Sequence, residues 1–201
     1  EDDIRAKTDE MGFCEKHIKA VYDCENRLGF ALVMRTHMDR VIAEIEAKSA
    51  EPVKGKTLFG KMQPLSVTDY TKSLHQKCFV CDRIENTFRR YMDTIIYLYK
   101  QDESFRRKYQ SCKGFCTAHY GELIETASGK LSGQNLTEFV ETTNRLYLEN
   151  MKRVRDDVEW FINKFDHKYA QEPWKNAKDS LVRAMIKTES VLPEEPKSKK
   201  N

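Results

Sequence analysis

Apolar residues recur at helical spacing along most of the chain, most regularly over residues 136–169. One apolar row returns every seven residues, and a second row runs four positions beyond it. Together they form a stripe with a period of about 3.5 residues, and charged residues lie mostly outside it. The pattern predicts a long amphipathic helix of a bundle, whose two rows are Val140, Tyr147, Val154 and Phe161, and Met151, Val158 and Phe165.

Two further long helices are predicted in the same way, over residues 14–48 and 83–100. Gly29 is a potential weak point of the first, because glycine is a poor helix former. Shorter amphipathic segments predict additional helices at 2–10, 69–76, 103–111 and 176–188.

The clearest interruption of this periodicity lies at residues 51–66, which contain Pro52, Gly55, Gly60 and Pro64. The sequence therefore predicts an all-α helical bundle without significant sheet, built from two repeated metal-binding helical units. The first unit is expected to span residues 1–50, the linker residues 51–66, and the second unit residues 67–190. The charged, proline-bearing tail at 191–201 is expected to be disordered.

Composition supports the helical class and narrows the range of partners. The 201 residues include only 8 Gly and 5 Pro, so turn formers are scarce. Thirty-five basic and 32 acidic residues give a net charge of +3, without the strong basic excess typical of nucleic-acid-binding proteins. No apolar run approaches the roughly 20 residues of a bilayer span. We expect no membrane insertion, and the charge balance argues against nucleic acid as a partner.

A six-residue motif occurs twice, as Gly12-Phe-Cys14-Glu-Lys-His17 and Gly114-Phe-Cys116-Thr-Ala-His119. Such a repeat is typical of a duplicated supersecondary unit. A Cys-x-x-Cys pair, Cys78 and Cys81, precedes Cys116 by 38 and 35 positions. An equivalent pair for the first copy would fall before Glu1. We therefore expect Cys14 and His17 to form an incomplete site in an N-terminally truncated chain; the alternative is that the first copy has lost its site.

The complete set, Cys78, Cys81, Cys116 and His119, has the residue types and close pair spacing of a metal site. Three thiolates and one imidazole suit tetrahedral Zn²⁺, and an iron–sulfur cluster, which usually has four cysteine ligands, is the alternative. Helices over 83–100 and 103–111 would form a hairpin whose open end the metal closes. Cys24 is expected to be a small core residue.

These motifs resemble those of an uncharacterised bacterial family whose members carry two Cys-Pro-x-Cys…Gly-Phe-Cys-x-x-His halves. The segment from Lys164 to Tyr169 and the following Glu172-Pro-Trp174 also resemble that family's C-terminal part. Phe79 stands where proline is commoner, and the first cysteine pair is missing. The resemblance covers nearly the whole chain and implies metal ligation by the matched residues, but no particular activity.

Function is predicted from the metal site alone, because no motif for hydrolysis, phosphate binding or dinucleotide binding is present. Four protein ligands leave no open position for a reacting water, which argues against an enzyme. We expect a structural zinc protein that binds another macromolecule, namely a protein. The alternative is a thiolate-based redox or metal sensor. Cysteines grouped as metal ligands, rather than as a disulfide scaffold, predict a reducing, cytoplasmic location.

Overall fold

The computed structural model describes residues 2–52 and 65–193. Within these ranges the protein is all-α, with nine α-helices, one short 3₁₀ turn at His167–Tyr169 and no strand. The helices are α1 Asp2–Met11, α2 Glu15–Asp23, α3 Arg27–Ser49, α4 Ser66–His75, α5 Phe79–Gln101, α6 Glu103–Gln110, α7 Thr117–Lys130, α8 Gly133–Asn163 and α9 Ser180–Glu189.

The chain divides into two compact units, Glu1–Phe88 and Arg89–Asn201, and the division falls inside α5. The predicted division placed residues 67–88 with the second half instead. Most of the predicted linker and the end of the predicted tail lie outside the described residues.

The first unit packs α3 against α1, α2 and α4. Residues 14–48, predicted as one helix, form two, because the backbone turns at Cys24–Asn26. Glu25 adopts a left-handed conformation with φ 63°, and the Asn26 side chain accepts a hydrogen bond from the Gly29 N–H at the start of α3. Gly29 thus lies at a helix start and not at a weak point. Cys24, expected in the core, is exposed.

The second unit packs α8 against α6, α7 and α9 around an aromatic core. Tyr99, Tyr109 and Phe139 pack with ring centroids 4.8–5.4 Å apart, and the Tyr109 hydroxyl lies 2.8 Å from Thr143 Oγ1. Burial raises the pKa of Tyr109 well above its ordinary value, against the opposing hydrogen bond with Thr143. The hydroxyl therefore stays protonated and serves the packing of the core.

Helix α8 confirms a long helix near the predicted position but buries a different row of side chains. Its buried residues are Phe139, Thr143, Leu146 and Val154, and only Val154 belongs to the predicted stripe. The sequence pattern missed this row because Thr143 is polar, and a polar residue at a core position looks like a surface residue. It is satisfied there by donating to the Phe139 carbonyl 2.7 Å away. Helix α7 was not predicted.

Candidate metal centre

Three cysteines and one histidine of the first unit come together at the start of two helices. Cys14 immediately precedes α2 and His17 lies in its first turn, while Cys78 immediately precedes α5 and Cys81 lies in its first turn. A residue before a helix and the residue three positions later share one end of the first turn, so both side chains of each pair point to the same place. Each pair thus forms a corner, which is a residue before a helix together with the first turn of that helix. The Cys14/His17 corner and the Cys78/Cys81 corner face each other.

The donor atoms of this cluster lie at distances suited to one metal ion. His17 Nδ1 is 3.3 Å from Cys14 Sγ, 3.4 Å from Cys78 Sγ and 3.3 Å from Cys81 Sγ. Cys14 Sγ and Cys81 Sγ are 3.9 Å apart, and all four donor atoms lie within 4.8 Å of one another. A tetrahedral Zn²⁺ with ordinary bond lengths requires sulfur–sulfur separations of about 3.8 Å and nitrogen–sulfur separations of about 3.6 Å. The residues present therefore fit the ion.

A glycine with a positive φ angle brings the two corners together. Gly12, with φ 58°, ends α1, and its carbonyl accepts a 3.0 Å hydrogen bond from the Phe79 N–H at the start of α5. A Cβ at Gly12 would lie 2.7 Å from the His37 ring, whose Nδ1 is 2.8 Å from the Asp9 carbonyl oxygen. Position 12 therefore favours glycine for its backbone angle, and a Cβ there would require the His37 side chain to move.

The hydrogen bonds of the cluster favour the thiolate form of Cys78. Burial by itself raises the pKa of Cys78, but hydrogen bonds from the backbone N–H groups of Cys14 and Cys81, with those to the His17 and Cys14 side chains, lower it to about 6. The pKa of Cys81 rises to about 11, chiefly because of its hydrogen bond with Cys78 and then because neighbouring atoms remove part of the solvent around its otherwise exposed sulfur. A metal that binds the cluster displaces the protons that its thiols still carry. The N-termini of α2 and α5 favour the resulting negative charge.

The cluster differs from the predicted ligand set by two residues. The structure brings Cys78 and Cys81 together with Cys14 and His17, whereas Cys116 and His119 lie in the second unit. Among the described residues, the cluster is the only group of three or more side chains placed to hold a metal. Cys14 and His17, predicted as an incomplete site, here lie beside Cys78 and Cys81.

Sequence reasoning could not decide which Cys-x-x-His segment meets Cys78 and Cys81. Sequence separation is a weak guide, because doubling a loop's length costs only about 0.6 kcal/mol. The structure has α5 with 23 residues and α6 with 8, close to the predicted helices over 83–100 and 103–111, and these lengths by themselves do not select a partner.

Cys116 has a different environment from Cys14. It is buried at the start of α7, where its Sγ lies 3.5 Å from the His119 backbone N–H and accepts a 2.8 Å hydrogen bond from Ser190 Oγ. The backbone nevertheless repeats that of the first copy: φ and ψ are −73° and 167° at Cys116 and −72° and 166° at Cys14. The motif thus dictates a local corner and leaves open what completes it.

Within residues 2–52 and 65–193, none of the helices combines the length and the apolar composition needed to cross a membrane. No curated protein and no solved structure matches the chain in sequence or structure comparisons. One family model, however, matches residues 1–195, which is nearly the entire sequence. The chain therefore belongs to DUF6062, a family of unknown function.

Proposed function

We propose that Cys14, His17, Cys78 and Cys81 bind one Zn²⁺ ion that stabilises the first unit. The single observation that carries the proposal is the arrangement of three sulfur atoms and one nitrogen within 4.8 Å, at distances near those of a tetrahedral zinc site. Four protein ligands complete such a shell, so the proposed role is structural and not hydrolytic. The ion would join the start of α2 to the start of α5, across more than 60 residues of sequence.

Metal analysis of the purified protein tests this assignment. We expect about one zinc ion per chain, since the described residues supply one complete set of ligands. Replacement by Co²⁺ should give the visible bands of tetrahedral cobalt and the ultraviolet charge transfer of cobalt–thiolate bonds. Iron with acid-labile sulfide would identify a cluster instead, and a protein folded without any metal would refute a structural ion.

We further propose that the first unit uses α3 to bind another protein. Leu28, Leu32, Met38 and Ile42 expose 73%, 44%, 55% and 52% of their surface. At 3.6 residues per turn these four side chains lie within a sector of about 120°. An exposed apolar helix face of this kind is typical of an interaction surface. Zinc would then fix the framework that presents the face.

A pair of substitutions that introduce negative charge tests the role of this face. Leu28→Glu with Ile42→Glu should leave zinc content unchanged, because neither residue belongs to the cluster. It should abolish crosslinks captured by a photoreactive residue at position 38. The same photoreactive residue at exposed Lys152 of α8 is the control. Equal crosslinking from both positions, or crosslinking unaffected by the double substitution, would refute a specific surface on α3.

A second function, thiolate-based sensing of oxidants, is favoured by the exposure of Cys81. Its side chain is exposed whereas Cys78 is buried, so an oxidant can reach one ligand of the site directly. Peroxide would convert two thiols to a disulfide and itself to two water molecules, releasing the ion. We expect reversible zinc release by equimolar peroxide if the site is a sensor. Retention of zinc until the protein unfolds would leave only the structural role.

A further inference from the structure

The second unit contains a cavity of about 390 Å³ that is lined almost entirely by charged side chains. It lies beside the N-terminal end of α9, between that helix, α8 and the segment that precedes the second Gly-Phe-Cys motif. A ligand cavity commonly has a volume of roughly 300–1,000 Å³, so this one suits a small molecule. Its lining residues are Lys113, Arg153, Lys175, Asn176, Lys178, Asp179 and Arg183.

Five of these seven side chains are cationic and one is acidic. Arg183 is held by Asp157 at 2.6 Å and Asp179 at 2.8 Å, and it also donates to the Asn176 carbonyl. Arg153 shares Asp157 at the longer distance of 3.8 Å. The two carboxylates thus hold the guanidinium groups in place but cannot neutralise the whole lining.

Two of the three lysines on the lining, Lys113 and Lys178, lack such compensation. Both Lys113 and Lys178 are exposed, and in the part of the chain that the structure describes neither ammonium group has an ion-pair partner. Collected like charges repel one another, and this repulsion is reduced when an anion binds.

Two further lysines of this region have unusual surroundings, Lys175 on the lining and Lys187 beside it. Lys175 adopts a left-handed backbone with φ 49°, and its ammonium group lies 3.7 Å from the centre of the Trp160 ring. Strained non-glycine residues of this kind concentrate at functional sites. Lys187, which donates to the Lys113 and Phe115 carbonyls, has its pKa lowered by burial and then by the charge of Arg153. Arg153, which lines the cavity, thus also acts on the neighbouring Lys187.

We propose that this cavity binds a small molecule that carries two or more negative charges on phosphate groups. Guanidinium groups bind phosphate oxygens in pairs, and lysine ammonium groups add strong point-charge interactions. The polar lining offers little to a neutral or apolar ligand. The site is separate from the metal centre, since all seven lining residues belong to the second unit.

Pyrophosphate is a direct probe, and the protein carries its own reporter. The chain has two tryptophans, of which Trp160 lies under Lys175 and Trp174 immediately precedes Lys175. We expect pyrophosphate to change the tryptophan fluorescence saturably, with binding confirmed by calorimetry. The double substitution Lys113→Gln with Lys178→Gln should weaken binding at least about tenfold, because it removes two of the five lining charges.

A matched control separates the cavity from the charge of the whole protein. Lys152→Gln with Lys168→Gln removes the same formal charge from exposed positions that do not line the cavity, and should leave pyrophosphate affinity unchanged. Equal weakening by both double variants, or no saturable binding of pyrophosphate, would overturn the proposal. So would citrate binding as tightly as pyrophosphate. Tighter binding of a single-stranded oligonucleotide, with steep salt dependence, would assign the surface to nucleic acid instead.

Discussion

In the unit Glu1–Phe88, three described residues are buried, Thr8, Gly12 and Cys78, whereas fifteen described residues of the unit Arg89–Asn201 are buried. The buried set of the first unit includes one of the proposed ligands and the glycine that positions the cluster. The second unit instead surrounds Phe139 with tyrosines and aliphatic side chains. Burial of apolar side chains is the main source of folding free energy, and the described residues of the first unit bury few of them completely. The proposed metal ion would add its binding free energy to the stability of this unit.

The two Gly-Phe-Cys-x-x-His segments show the same difference at the scale of one turn. Gly12 and Gly114 both have positive φ angles, and both cysteines begin a helix with the same backbone angles. In the first unit the corner meets Cys78 and Cys81. In the second, Ser190 and Lys187 of the α9 region take that place, bonding Cys116 Sγ and the Phe115 carbonyl. One local structure thus belongs to the candidate metal site in one unit and to a packed core in the other.

Removal of the metal should have the largest effect and should be confined to one unit. A zinc chelator is expected to abolish amide protection in α1, α2 and α4 while α7 and α8 retain theirs, because only the first unit depends on the ion. Hydrogen exchange followed by mass spectrometry resolves these segments. Uniform loss of protection over both units, or none in either, would contradict the comparison.

Substitution of one cysteine in each motif copy should separate them almost as clearly. Cys14→Ser removes a ligand and should lower zinc affinity by more than the 10- to 100-fold that is typical of residues merely supporting a ligand. Cys116→Ser should leave about one zinc per chain and should lower only the stability of the region around residue 116. Metal analysis with a competing chelator gives both numbers. If both variants lost zinc equally, Cys116 would belong to the site after all.

Much of this architecture was accessible from periodicity, and the exceptions have particular causes. The helix at residues 83–100 and the long helix near 136–169 followed from their apolar rows. The break at Glu25 was missed because the left-handed residue is not a glycine, and the buried row of α8 was missed because Thr143 is polar. The Cys/His chemistry of a metal site was predicted, but not the pairing of Cys78 and Cys81 with Cys14 and His17. That pairing depends on tertiary structure, which two equivalent motifs cannot specify.

The two glycines offer a smaller and more quantitative comparison. Alanine at either position adopts a left-handed backbone, which costs roughly 1–3 kcal/mol. At Gly114 the added Cβ also lies 2.7 Å from the Leu146 backbone oxygen, whereas at Gly12 it meets the His37 side chain, which can rotate. We therefore expect Gly114→Ala to reduce stability more than Gly12→Ala in denaturant unfolding. Only Gly12→Ala should weaken zinc binding, and the opposite order would contradict this account.

The smallest predicted effect tests how Cys116 is held. Ser190 ends α9 with a left-handed φ of 59°, and its hydroxyl donates to Cys116 Sγ at 2.8 Å. Ser190→Ala loses that hydrogen bond and keeps the backbone strain, so it should cost about 1 kcal/mol. Ser190→Gly loses the same bond but relieves strain of about 1 kcal/mol, so its net effect on unfolding should be close to zero. Neither variant should change zinc content, because Ser190 bonds a cysteine outside the cluster. A loss of zinc in both would mean that Cys116 is a ligand, and stability equal in the two variants would mean that the left-handed turn carries no strain.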